Sequence, residues 1–132
     1  MEPDFLSLEK ILKIHEIQIR EFGGSAGVRD VGLLQSATSM PQAQFGGQYL
    51  HADVYEMAAA YLYHLALHHP FVDGNKRVAT MAADIFLIMN GILLTAHEAD
   101  LTNLSLEVAE RKIEKPEITA FFRKHSKKLP AR

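Results

Sequence analysis

The stretch "HHPFVDGNKR" at residues 68–77 crowds imidazoles, a carboxylate, a glycine, an amide and two cations together, and each type has a place in handling a phosphate. It reads as the junction of two helices, with His69 closing the first and Asn75, Lys76 and Arg77 opening the second. Backbone N–H groups at a helix start are unpaired and carry the positive end of the dipole, so an anion is favoured there. Gly74 lets the chain turn tightly and come close to that anion. Lys76 adds a point charge and Arg77 a planar fork, both suited to phosphate oxygens. Asp73 would repel a bare phosphate, so a hard divalent cation must lie between them. Mg²⁺, held by one carboxylate, phosphate oxygens and waters, meets that need. His69 has an ordinary pKa that lets it take a proton from a hydroxyl near neutral pH. Together these parts describe transfer of a phosphorus centre to a hydroxyl. The plainer reading of the same residues is a Gly-Asn turn and cap followed by two solvent-facing cations, with Phe71 packed in the core either way.

Several elements must position this stretch. "SLEKILKIHEIQIREFGG" sets Leu8, Ile11, Leu12, His15 and Ile19 on one side at helical spacing, with Ser7 to cap the start and Gly23 to stop the end. "GGSAGVRD" is a glycine-rich loop, and Asp30 caps a short helix to about Thr38. Residues 41–50, with Pro41, Gly46 and Gly47, form a loop or hairpin. Asp53 and Glu56 have capping-box spacing ahead of a helix rich in Ala and Leu, which Pro70 ends. The next helix is apolar nearly all round from Val78 to Met89, which predicts a buried central helix stopped by Asn90-Gly91. A further helix runs from about Asp100 to Lys112, and Pro116 begins a last one reaching about Lys127. Strands are confined to short pieces near 43–50 and 92–96. The predicted fold class is all-α.

The bulk properties agree with a single domain over residues 1–132. The composition, 48% hydrophobic and 23% charged, is that of an ordinary globular protein. No apolar run approaches the roughly 18 residues a bilayer crossing needs, and "MEPDFLSLEK" lacks the order of a secretion signal, so a cytoplasmic protein with no membrane partner is expected. The chain has no cysteine, which excludes disulfides, thiolate metal sites and cysteine nucleophiles. A net charge of -2 argues against general nucleic-acid binding. The cations concentrate late, around Arg123, Lys124, Lys127 and Lys128, as a solvated helix face or a docking surface for an acidic partner. His64 and His68 lie one helical turn apart and are read as packing, with a metal pair as the alternative. His15, Tyr55, Tyr61, Tyr63, Met81 and Met89 are read as core.

"HPFVDGNKR" resembles the signature of the Fic/Doc family, HPFx(D/E)GN(G/K)R, at every specified position. The length, the helical pattern and the loop "FGGSAGVRD" are similar to the short Doc, or death-on-curing, branch. Fic-type members usually carry Gly where this chain has Lys76, and a second Arg where it has Thr80. Both departures resemble Doc.

That resemblance implies a Fic/Doc-like helical bundle and a toxin of a toxin–antitoxin pair. It implies ATP and Mg²⁺, with the γ-phosphoryl passed to a threonine of elongation factor Tu and translation arrested. Carried over by position, the catalytic set is His69, Asp73, Lys76 and Arg77. His69 is then the general base, and Asp73 orients the target and holds Mg²⁺. Asn75, Lys76 and Arg77 bind the phosphates, and Gly74 supplies the amide nest. Loop 41–50 falls where the family carries a substrate flap, giving Gln44, Phe45, Gly46 and Tyr49 as flap residues, with Gln42 beside them; an ordinary surface loop is the alternative. No (S/T)xxxE(G/N) segment is present, so control falls to a separate antitoxin whose disordered C-terminal segment folds on binding, steered by the basic tail. AMP or other nucleotidyl transfer to a protein hydroxyl remains open, as does an inactive binding module.

Overall fold

In the computed structural model, which describes residues 2–130, the helices begin and end largely where local capping chemistry places them. Helix α1 (Leu8–Phe22) starts at Ser7, whose hydroxyl accepts from the Lys10 N–H, and stops at Gly23 with φ +82°. Helix α2 (Val31–Ser39) is capped by Asp30, which accepts from the Leu33 N–H. A 3-10 turn (Met40–Gln42) leads into a hairpin of β1 (Gln44–Phe45) and β2 (Gln48–Tyr49). Its turn residues Gly46 and Gly47 both have positive φ, +60° and +80°, the pair of conformations a two-residue type I′ hairpin demands.

Helix α3 (Val54–His68) starts at Asp53, whose side chain accepts from Glu56 N–H. The reciprocal bond of the expected capping box runs one residue early, from the Ala52 N–H to Glu56 Oε1. Helix α4 (Asn75–Met89) follows across the loop, then β3 (Ile92–Leu94), α5 (Glu98–Ala109), α6 (Lys115–Lys124) and β4 (Ser126–Lys128). Among the described residues, then, six α-helices carry the fold and the strands are two short antiparallel pairs, β1–β2 and β3–β4. No described helix is long and apolar enough to cross a membrane.

Four expectations shift. The last helix ends at Lys124, and 126–128 turn back to pair with 92–94; the strand near 92–96 needed an edge, and the tail supplies it. Helix α5 lies a few residues earlier than predicted, at Glu98–Ala109. On α1 the buried face is Ile11, Ile14, His15 and Gln18, while Leu12 is exposed. The buried central helix is α3 rather than α4. Helix α3 packs against α2, α4, α5 and α6 and buries residues from Met57 to Leu62 without a break. Its alanines allow that close approach on several sides. Helix α4 buries Val78, Ala79, Ala82, Ala83, Phe86 and Leu87 but turns Thr80, Asp84 and Ile88 outward, so its apolar run overstated its burial.

The buried side chains form one contiguous cluster. Tyr61 spans it, with its hydroxyl accepting from the Leu6 N–H at 2.9 Å and held in the protonated form by burial, which pushes its pKa up to about 12. Tyr55 and Tyr63 are half-buried against the cluster, as are Met81 and Met89. His64 stacks on His68 with ring centroids 5.6 Å apart.

Candidate active site

The α3–α4 junction places His69 at the carboxyl end of one helix and the start of the next a few residues away. His69 is the C-cap of α3, in the left-handed region at φ +48°, and it is exposed. Burial of the ring's surroundings comes first in depressing its pKa below the ordinary 6.5, followed by the charges of Lys76, Arg29, His68 and Arg111. A neutral imidazole at neutral pH is the form that accepts a proton.

Helix α4 begins at Gly74, φ +79°, with no side-chain cap. The N–H groups of Asn75, Lys76 and Arg77 therefore lack intrahelical acceptors, and the exposed side chains of Lys76 and Arg77 stand beside them. The Arg77 guanidinium lies over the Phe22 ring, 4.7 Å from its centroid. Thr80, on the next turn, returns its hydroxyl to the Lys76 carbonyl and brings no charge.

Asp73 accepts from the Ser25 N–H at 3.2 Å through Oδ2 and from the Gly74 N–H at 2.9 Å through Oδ1. Those two bonds, in that order, hold its carboxyl below the usual carboxylate range, with Arg77 adding charge against the opposing effect of burial. The result is an exposed, anionic carboxylate with lone pairs left over. One such oxygen donor suits Mg²⁺, which takes the rest of its shell from phosphates and water. Among the described residues no group of three or more His, Cys, Asp or Glu could enclose a metal by itself.

The Asn75 side chain is bonded within the loop. Its Oδ1 accepts from the Phe71 N–H at 2.9 Å and its Nδ2 donates to the Phe71 carbonyl at 3.0 Å. Oδ1 and one of the two Nδ2 hydrogens close the loop on itself, leaving the second Nδ2–H and the backbone N–H as donors for a phosphate. Among the residues expected to form a flap, Gln44 pairs with Tyr49 across the hairpin, Phe45 is 82% exposed and Gly46 makes the turn. The Tyr49 hydroxyl donates to Glu2 at 2.6 Å and its ring packs on Phe5. Gln42 closes the 3-10 turn, exposed. In the basic tail, Arg123 is already paired with Asp53 at 2.7 Å and lies near Glu56 at 3.8 Å. That leaves Lys124, Lys127 and Lys128 exposed.

Several residues that shape the site are absent from the motif. His15, on α1, donates Nε2–H to the Asp73 carbonyl at 2.9 Å and stacks on Phe71, centroids 3.9 Å apart. It is a satisfied buried histidine, as read, and also a prop for the loop. Ser25 and Gly24 receive the Asp73 carboxylate. A Cβ on Gly24, at φ +114°, would meet Asp73 Oδ2 at 2.7 Å, so only glycine fits. Arg29 donates to the carbonyls of His68 and His69, and the charge of Arg111, just beyond α5, helps to lower the His69 pKa. The cluster of glycines in "GGSAGVRD" was the available signal, because glycine permits close backbone approach; its partner was not readable.

Beside the junction, α1, α4, β3 and α5 border an open cleft of about 620 Å³ lined by Lys76, Arg77, Thr80, Asp84, Leu94 and Leu101, among others. Burial raises the pKa of Asp84 within it.

The family described as "Fic/DOC family" matches this chain over residues 5–87. A protein of Mycolicibacterium smegmatis named "Toxin Doc" is 40% identical over 122 residues, 89% of this chain and 89% of that protein. A protein of Escherichia phage P1 named "Protein kinase doc" is 33% identical over 99 residues, 74% of this chain and 78% of that protein.

Proposed function

The chain belongs to the Fic/Doc family, and on that premise we propose that it is the toxin of a toxin–antitoxin pair and an ATP-dependent protein kinase. The observation that carries the reading is the pairing of an exposed, neutral His69 with the uncapped, cation-flanked start of α4. The names of the two relatives, a toxin and a protein kinase, support it.

In this reading the γ-phosphate of ATP lies against the N–H groups of residues 75–77, with Lys76 and Arg77 on its oxygens. The nucleoside end lies in the cleft toward Asp84. The target hydroxyl approaches from the side of His69 and gives its proton to the imidazole as its oxygen bonds to phosphorus. The bond to the β-phosphate oxygen breaks, and ADP leaves. Charge in this step spreads over the transferred oxygens, so the site contributes chiefly by position and by fixed positive charge. Mg²⁺, when bound, neutralises phosphate charge beside Asp73. The hydroxyl is that of a serine or threonine, and elongation factor Tu is the target we propose, with translation arrest the consequence. The β1–β2 hairpin aligns the target segment through its backbone edge and Phe45, with Tyr49 fixing the hairpin to Glu2 and Phe5. A cognate antitoxin, whose disordered C-terminal segment folds on the toxin, restrains the enzyme in the cytoplasm. Its acidic residues meet Lys124, Lys127 and Lys128.

The deciding experiment incubates the purified chain and a cell extract with γ-labelled and, separately, α-labelled ATP. Label from the γ position alone, on one protein of the extract, is the expected result. Label from the α position would mean nucleotidyl transfer instead, and label from neither would mean a binding module.

A further inference from the structure

Histidine is an unusual residue for the left-handed position that ends α3. A side chain there is strained relative to glycine, which normally fills such a position. A backbone of that kind persists only where its surroundings over-determine it. Here the surroundings include one side chain from far along the chain. Arg29 donates Nε–H to the His69 carbonyl at 2.6 Å and Nη2–H to the His68 carbonyl at 2.7 Å.

We infer that Arg29 is a positioning residue for His69, its guanidinium clamping two carbonyls at the end of α3 so that the imidazole leaves the helix at one fixed angle; this rests on the phosphotransfer reading above. The clamp is anchored on its own side. The N–H groups of Arg29 and Asp30 both donate to the Pro70 carbonyl, at 2.8 and 3.0 Å, and the Val72 N–H donates to Gly27 at 3.0 Å. The Asp30 side chain caps α2, which fixes the backbone next to Arg29. Those last-turn carbonyls have no intrahelical donors, and a cation is favoured at a helix carboxyl end. Two parallel N–H groups in one plane are a property of arginine that lysine does not share. The same two donors, being occupied, are not offered to a phosphate.

The clamp also brings charge. After burial, the charges that oppose protonation of His69 are those of Lys76 on α4, Arg29 in the loop, His68 on α3 and Arg111 just beyond α5.

The test compares the full-length chain with Arg29→Ala and Arg29→Lys by phosphotransfer rate, Mg·ATP affinity, melting temperature and the titration of His69 followed by NMR. For Arg29→Ala, kcat is expected to fall on the order of 10- to 100-fold, with Mg·ATP affinity unchanged and the His69 midpoint moved upward. Arg29→Lys, which keeps the charge and at most one of the bonds, is expected to fall between. Affinity weakening in step with rate would make Arg29 a nucleotide ligand and overturn the assignment. An unchanged kcat with an unchanged His69 signal in a folded variant would also overturn it. Should Arg29→Ala not fold, Arg29→Lys decides by the same criteria. Wild-type protein that transfers no phosphate would refute the kinase reading alone, because the NMR comparison needs no activity.

Discussion

The proposed mechanism puts the general base on one exposed ring, that of His69, so its replacement separates mechanism from folding. In His69→Gln the phosphotransfer rate is expected to drop by about 10²–10⁴-fold, the usual worth of a general base, with the melting temperature unchanged, as measured on one preparation. Retained rate would remove the ring from the reaction. The pH dependence follows from the direction of its shift. The folded-state pKa lies below 6.5, so the ring is neutral at pH 7 and protonates only in more acid solution. A rate flat through neutrality that declines below about pH 6.5 is therefore expected. A decline already beginning above that value would contradict the environment described.

At the scale of elements, the site is a seam between the 23–30 loop and the 69–75 loop, each holding the other. Val28 bridges Phe71, His15 supports Asp73, and Asn75 closes the turn by taking both polar groups of the Phe71 peptide. In Asn75→Ala a half-buried N–H and carbonyl lose their partners, which costs about 1–3 kcal/mol. Chemical denaturation should register that loss. Because the loop also carries Asp73 and Gly74, the transfer rate should fall more than stability alone explains at temperatures where the variant is folded. A variant as stable as wild type would show that water replaces the amide without cost. The motif spelled out Asn75, but its chemical type did not say which partners it would take. An amide can serve a phosphate or a peptide, and the choice here is made by the geometry of a tight turn.

At the scale of the whole molecule, the packing of α6 on α3 stores an acid sensitivity. His64 is buried, and its Nε2 has no hydrogen-bond partner among the described residues. Burial first, then the charges of Lys115, His68 and His51, pull its pKa down to about 3. The unfolded chain takes up this proton near pH 6.5, the folded one only near 3. The stability held by the neutral ring is thus complete above pH 6.5 and is lost progressively as the pH falls from there toward 3. His64→Leu removes both the titration and the unpaired nitrogen. Its unfolding midpoint should be unchanged or higher at pH 7 and clearly higher than wild type at pH 4.5. Parallel pH curves for the two proteins would place the acid sensitivity elsewhere. The late run of cations shows the same dependence on assembly: Arg123 reads as surface charge, yet the fold spends it on Asp53 at the start of α3.

What the sequence determined by itself was the grammar that acts over a few residues. Ser7, Asp30 and Asp53 mark helix starts, Gly23 a stop, and the Gly46-Gly47 pair a hairpin, because each acts on backbone groups within one turn of itself. The candidate site was legible for the same reason, since His69, Asp73, Lys76 and Arg77 lie in one contiguous run. Tertiary structure alone decided that α3 is the buried helix, that 126–128 form a strand, and that Gly24, Ser25, Arg29 and His15 complete the site. These last reach their partners across 39 to 58 positions of chain. A hydrogen bond of that kind forms only when packing has already brought two distant segments into register, and no local pattern of side chains names the partner in advance.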